Sequence, residues 1–70
     1  MITLDLHGIR HSEVKNKVIR FLEDNWDCCN CVKIITGHSV IMKYLVTDTL
    51  IEYKLIGESS EYDPFIKVLM

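Results

Sequence analysis

Val32-Lys33-Ile34-Ile35-Thr36-Gly37-His38-Ser39-Val40 changes its rhythm halfway through. Four of its first five residues are β-branched and the run is almost continuously apolar, the pattern of a central strand. Gly37 breaks it. From Val40 the apolar residues return at helical spacing, with Met42, Leu45, Val46, Thr49, Leu50 and Tyr53 along one face. The stretch therefore predicts a strand over 32–36, a tight loop at 37–39, and a helix from about Val40 to Lys54.

The same strand-glycine-helix grammar lies upstream. Ile2, Leu4 and Leu6 alternate with Thr3, Asp5 and His7, which predicts a first strand with one apolar face. Gly8 ends it, and Val14, Val18, Phe21, Leu22 and Trp26 then fall at helical spacing over about Ser12 to Trp26. Ser12 is the expected N-cap, and Phe21, Trp26 and Met42 are assigned to packing. Downstream, Leu55–Glu58 reads as a third strand, weakened by Gly57, and Phe65–Leu69 as a fourth after a polar turn at 59–64. The order β-α-β-α-β-β implies parallel pairing across the helical crossovers and an antiparallel final pair. The expected fold is an α/β two-layer sandwich: a mixed four-stranded sheet with both helices on one face and the other face partly open.

Seventy residues make one domain, 1–70, with no material for a second. A chain this short buries about 60% of its unfolded surface and has a stability of roughly 4–10 kcal/mol, so a surface site is expected, not a deep cavity. The apolar and charged fractions, 49% and 26%, are those of a soluble domain. No apolar run is long enough to span a membrane, and no export signal opens the chain, so the expected location is cytoplasmic and no membrane partner is expected. Its brevity suggests a stand-alone accessory protein from a phage or mobile element. The net charge of −2 argues against a broadly basic binder, but Arg10, Lys15, Lys17, Arg20, Lys33 and Lys43 precede residue 44 while Glu58, Glu61 and Asp63 crowd the other end. Any phosphate contact is then local. Cys28, Cys29 and Cys31 are odd in number and supply three of the four ligands a closed zinc site needs, so they read as ordinary thiols, with zinc or redox chemistry at the C-x-x-C spacing of Cys28 and Cys31 as the alternative.

The two loops are where chemistry is expected. His7-Gly8-Ile9-Arg10 and Thr36-Gly37-His38-Ser39 each follow the carboxyl end of a strand and lead into a helix N-terminus. Open parallel sheets bind ligands at that edge, and helix N-termini present unpaired N–H groups and partial positive charge that suit phosphate. Gly8, Arg10, Thr36, Gly37, His38, Ser39 and Lys43 are the expected anion contacts. Asp5 and His7, two apart on a strand, share a side and form a candidate catalytic pair in which the carboxylate orients the imidazole. In the alternative reading Asp5 caps the loop or pairs with Arg10, and His7 is simply solvated. His38 is either a phosphate contact or an exposed loop residue, and Lys43 either reaches the anion or is solvated.

Leu4-Asp5-Leu6-His7-Gly8 resembles the L-D-x-H-G motif that opens small MutS-related (Smr) domains. Ile34-Ile35-Thr36-Gly37 stands where their second motif, T-G-x-G or H-G-x-G, follows the second strand. The resemblance spans essentially the whole chain. It implies a fold similar to the C-terminal domain of a bacterial translation initiation factor, and nucleic-acid binding, often with endonuclease activity on RNA or DNA. Asp5 and His7 match the family's acidic and histidine positions, and Thr36 and Gly37 the start of its glycine loop. Ser39 replaces the second glycine; serine can still cap a helix but enters positive φ less cheaply. Three classes stay open: a nuclease, a non-catalytic nucleic-acid binder, and a regulatory or protein-interaction module that keeps the fold. Magnesium or manganese is the cofactor left open, and a weak homodimer through the last strand's edge or the open sheet face is an expectation on assembly.

Overall fold

The alternation at each end of the chain and the two helical periods between them fold as their rhythm demands. A computed structural model describes residues 2–26, 31–59 and 62–69. Its elements are β1 (Ile2–Asp5), α1 (His11–Asp24), β2 (Cys31–Ile35), α2 (Val40–Glu52), β3 (Ile56–Glu58) and β4 (Phe65–Leu69). The strands lie in the order β1-β2-β4-β3. β1 and β2 are parallel, with Asp5 beside Ile35, and β4 runs antiparallel to both β2 and β3. The expected mixed four-stranded sheet with two helices is therefore the fold.

One sheet face carries the core. Val32 and Ile34 of β2 and Ile66 and Val68 of β4 are buried there with Leu6, beneath Val14, Val18 and Leu22 of α1 and Met42, Val46 and Leu50 of α2. The opposite face is partly open: Lys33, Ile35, Phe65 and Lys67 are half-buried, and the Lys33 ammonium lies 4.0 Å from the Phe65 ring centroid. That contact places a cation against the negative face of the ring. Close approach is what requires Gly57 in β3. A Cβ there would stand 2.9 Å from both Ile66 Cγ2 and Leu50 Cδ1, so any larger residue would push against these two buried side chains of β4 and α2.

The helix ends depart from the sequence expectation. α1 begins at His11, and its N-cap is Arg10, which offers no capping oxygen; Ser12 lies inside the first turn. The helix ends at Asp24, where the Asn25 side-chain amide donates to the Phe21 carbonyl (2.9 Å). Trp26 thereby leaves the helical stripe. It is 45% exposed and leans on Tyr53, with centroids 6.1 Å apart, instead of filling the core. Phe21 packs at the core's border and Met42 within it, as expected.

α2 ends at Glu52, not Lys54. The N–H of Leu55 reaches the Leu50 carbonyl and that of Lys54 reaches Ile51, with Lys54 at φ 56°. This is the Schellman closure, with lysine where glycine is usual. Cys31 is a free, half-buried thiol at the start of β2, while Cys28 and Cys29 fall outside the described residues.

Candidate functional site

The parallel register fixes the site's geometry. Asp5 pairs with Ile35, and the Leu6 N–H donates to the Ile35 carbonyl (3.0 Å), so β1 and β2 end at the same level. Their following loops leave the sheet side by side, and each delivers the chain to a helix start. Gly8 and Gly37 occupy equivalent places with φ of 76° and 68° and open space where a Cβ would stand. Conformation, not crowding, therefore requires glycine at both turns.

In the first loop, Asp5 Oδ1 accepts the backbone N–H of His7 (2.8 Å), and the Ile9 N–H returns to the Leu6 carbonyl (3.1 Å). The carboxylate thus holds the turn that presents the imidazole through its main chain. Asp5, His7, Gly8 and Arg10 are all exposed. Among the described residues Arg10 forms no ion pair with Asp5 or Glu13, which leaves its guanidinium available at the loop edge.

The second loop is anchored more firmly. The Pro64 carbonyl accepts the N–H of both Thr36 (2.9 Å) and Gly37 (2.8 Å). Thr36 is buried, and its hydroxyl donates to the Gly37 carbonyl (2.9 Å). His38 Nε2 lies 3.3 Å from the Tyr62 carbonyl, and the Lys43 ammonium donates to the Asp63 carbonyl. Ser39 caps α2, its hydroxyl accepting the Met42 N–H (3.2 Å). The first turn of α2 holds no acidic residue, so the positive end of its dipole is not offset.

The structure thus sorts the expected site residues. Asp5, His7, Gly8, Arg10, His38 and Ser39 are gathered, exposed, at the carboxyl edge of β1 and β2. Thr36 and Gly37 shape that edge but give their N–H groups to Pro64, and Lys43 is turned toward Asp63. The 62–64 segment is the contributor that sequence reasoning missed. It acts through main-chain carbonyls, which leave no side-chain signature.

These features define a small α/β domain whose candidate site is an edge built from two matched strand-to-helix loops. The chain belongs to the Smr family: the family model of the Smr domain matches residues 4–64, from the first motif to the proline that anchors the second. No curated protein and no solved structure matches it.

Proposed function

We propose that this Smr domain binds RNA or DNA at the paired loops, gripping a backbone phosphate. One observation carries the reading: the in-register ends of β1 and β2 bring an exposed arginine, two exposed imidazoles and two helix N-termini to one edge. Arg10 supplies a planar, permanently charged fork for phosphate oxygens. The starts of α1 and α2 both follow this edge, and the space beside Gly8 is open, with nothing within 4 Å of where a Cβ would stand. With Gly37 committed to Pro64, the second loop's contribution comes from His38, Ser39 and the first turn of α2.

Hydrolysis is the second reading, supported by family membership and by the exposed Asp5–His7 pair. His7 would take a proton from the attacking water as its oxygen bonds to phosphorus. The P–O bond to the leaving sugar oxygen would break, that oxygen taking a proton from solvent, while Arg10 faces the charge on the phosphoryl oxygens. Among the described residues no three His, Cys, Asp or Glu side chains converge on a point. A magnesium or manganese ion would rest on Asp5 and on the substrate's own oxygens, as such ions commonly do. The bond from Asp5 to the His7 main chain favours the binding reading, because the carboxylate is engaged by the turn and not by the ring.

The test is binding and cleavage of labelled single- and double-stranded RNA and DNA, with and without magnesium or manganese. Wild type is compared with Arg10→Ala, Asp5→Ala and His7→Ala proteins shown to be folded. Affinity that falls with salt and drops in Arg10→Ala supports the phosphate grip. Cutting that is lost in His7→Ala adds the nuclease. No salt-sensitive binding to any substrate refutes the reading and leaves a protein-interaction domain.

A further inference from the structure

Helix α2 carries apolar residues on two sides, and the core uses only one. Met42, Val46, Thr49 and Leu50 face the core. On the opposite side Val40, Tyr44 and Ile51 are 80%, 70% and 65% exposed. Thr47, also exposed, sits between Tyr44 and Ile51 and adds a methyl to the row. The spacing of four, three and four residues through Val40, Tyr44, Thr47 and Ile51 is the spacing that paired helices use at their contact. Ile41, 59% exposed, extends one border. Single exposed apolar residues need no explanation, but a row of them on one helix face marks a contact surface, and helices apolar on both sides are normally buried on both. The other large exposed apolar residues, Trp26, Ile56, Tyr62 and Leu69, lie off this stripe.

We propose that a second copy of this chain covers the stripe, with the two α2 helices side by side and parallel. Two features favour a copy over an unrelated partner. The seam matches itself: in a parallel pair each of Val40, Tyr44, Thr47 and Ile51 meets its own counterpart, and the two Thr47 hydroxyls can bond to each other. The borders match as well. Lys43 flanks the seam on one side and Asp48 on the other, five residues on, the offset at which flanking charges meet across parallel helices. The Lys43 ammonium is held by the Asp63 carbonyl, so its charge acts on the neighbour's Asp48 carboxylate at longer range and not through a direct bond. An antiparallel pair would set like borders against each other.

The stripe is a few side chains on a helix of 13 residues, so the pair buries less than the ~1,000 Å² that a stable interface usually clears. The dimer is accordingly weak, and concentration decides its population. Its orientation has a functional consequence that rests on the nucleic-acid reading. Parallel helices put both α2 N-termini, and so both loop edges, at one end of the assembly. With helix axes about 8–10 Å apart, two phosphate sites then face one nucleic acid, and the second contact is intramolecular.

Light scattering and sedimentation across roughly 10 µM to 1 mM test the assembly without nucleic acid. The mass should rise from 8.2 kDa toward twice that value. Tyr44→Lys with Ile51→Lys, both at exposed positions, should stay monomeric while keeping the wild-type circular dichroism spectrum. A wild-type monomer throughout the range overturns the proposal, as does a dimer the double variant still forms. In a background with Cys28, Cys29 and Cys31 changed to serine, Thr47→Cys should cross-link to itself. Cross-linking only when Thr47→Cys is mixed with Tyr44→Cys refutes the parallel orientation. The functional reading is tested separately by Arg10→Ala, which should weaken binding and leave the mass unchanged.

Discussion

Gly37 and Gly57 answer the same substitution for different reasons, and that difference can be measured. At Gly37 a Cβ meets nothing within 4 Å, but φ is 68°. Gly37→Ala therefore costs only backbone conformation, about 1–2 kcal/mol for an L-residue in the left-handed region. The loss of unfolded-chain entropy offsets ~0.4–1 kcal/mol of that, leaving a net cost of about 1 kcal/mol. At Gly57 the backbone is ordinary, but the added methyl would stand 2.9 Å from the side chains of Ile66 and Leu50, which are 2% and 1% exposed and would have to shift within the core. Overpacking of this kind costs ~1–3 kcal/mol. For a domain of this size each kcal/mol lowers Tm by roughly 4–8 °C, so thermal melts and urea titrations resolve both effects. The discriminating variants are the asparagines. Asparagine tolerates positive φ but is larger than alanine. Gly37→Asn should recover most of the stability lost in Gly37→Ala, and Gly57→Asn should be worse than Gly57→Ala. Equal losses for Gly37→Ala and Gly37→Asn would show that the turn is not held in the left-handed region, and the reasoning would fail.

Lys54, the only described non-glycine residue at positive φ, should gain from Lys54→Gly, by about 0.5–1 kcal/mol and a few degrees in Tm. Leu22→Ala, which empties a fully buried position between α1 and the sheet, should cost ~2–5 kcal/mol and leave a protein close to its unfolding midpoint in mild urea. Asp5→Ala removes the acceptor for the His7 N–H and should raise that amide's hydrogen-exchange rate, whereas Asp5→Asn keeps an acceptor and should not. The exposed Lys15–Glu52 pair (3.0 Å) joins the two helices, and Glu52, first by hydrogen bond and then by charge, raises the Lys15 ammonium above its ordinary 10.5. A raised cation contributes stability below the unfolded value and loses it as pH climbs through the folded one. Wild type should therefore lose its small advantage over Lys15→Met above about pH 10.5, seen as converging Tm values.

The order of elements and the pairing of the loops were legible because they rest on rhythm: period two giving way to period 3.6 at Gly8 and again at Gly37. The helix ends were not, because their chemistry is atypical. Arg10 starts α1 without a capping oxygen, and Lys54 closes α2 where a glycine would have announced the stop. Trp26 kept the helical spacing that Asn25 had already ended. The support of the second loop by residues 62–64 was unreadable in principle, since a carbonyl belongs to every residue alike. The outer stripe of α2 lay in the sequence throughout. It escaped notice because Val40, Tyr44 and Ile51 interleave with the core positions and read as part of one apolar helix, while Thr47 breaks the row with a hydroxyl.

β4 is the fourth strand in chain order yet stands second from one edge of the sheet, between β2 and β3. Until residues 65–69 have left the ribosome, β2 has an open flank and β3 has no neighbour. Ile66 and Val68, part of the core that the two helices share, are also missing. The nascent chain can form its helices and the β1–β2 pair, but not the sheet that buries them. The loop at 36–37 meanwhile lacks the Pro64 carbonyl that receives its amides. Folding of the sheet therefore waits for β4 and its long-range contacts form together, so the edge of paired loops takes shape only when that strand slots into the middle.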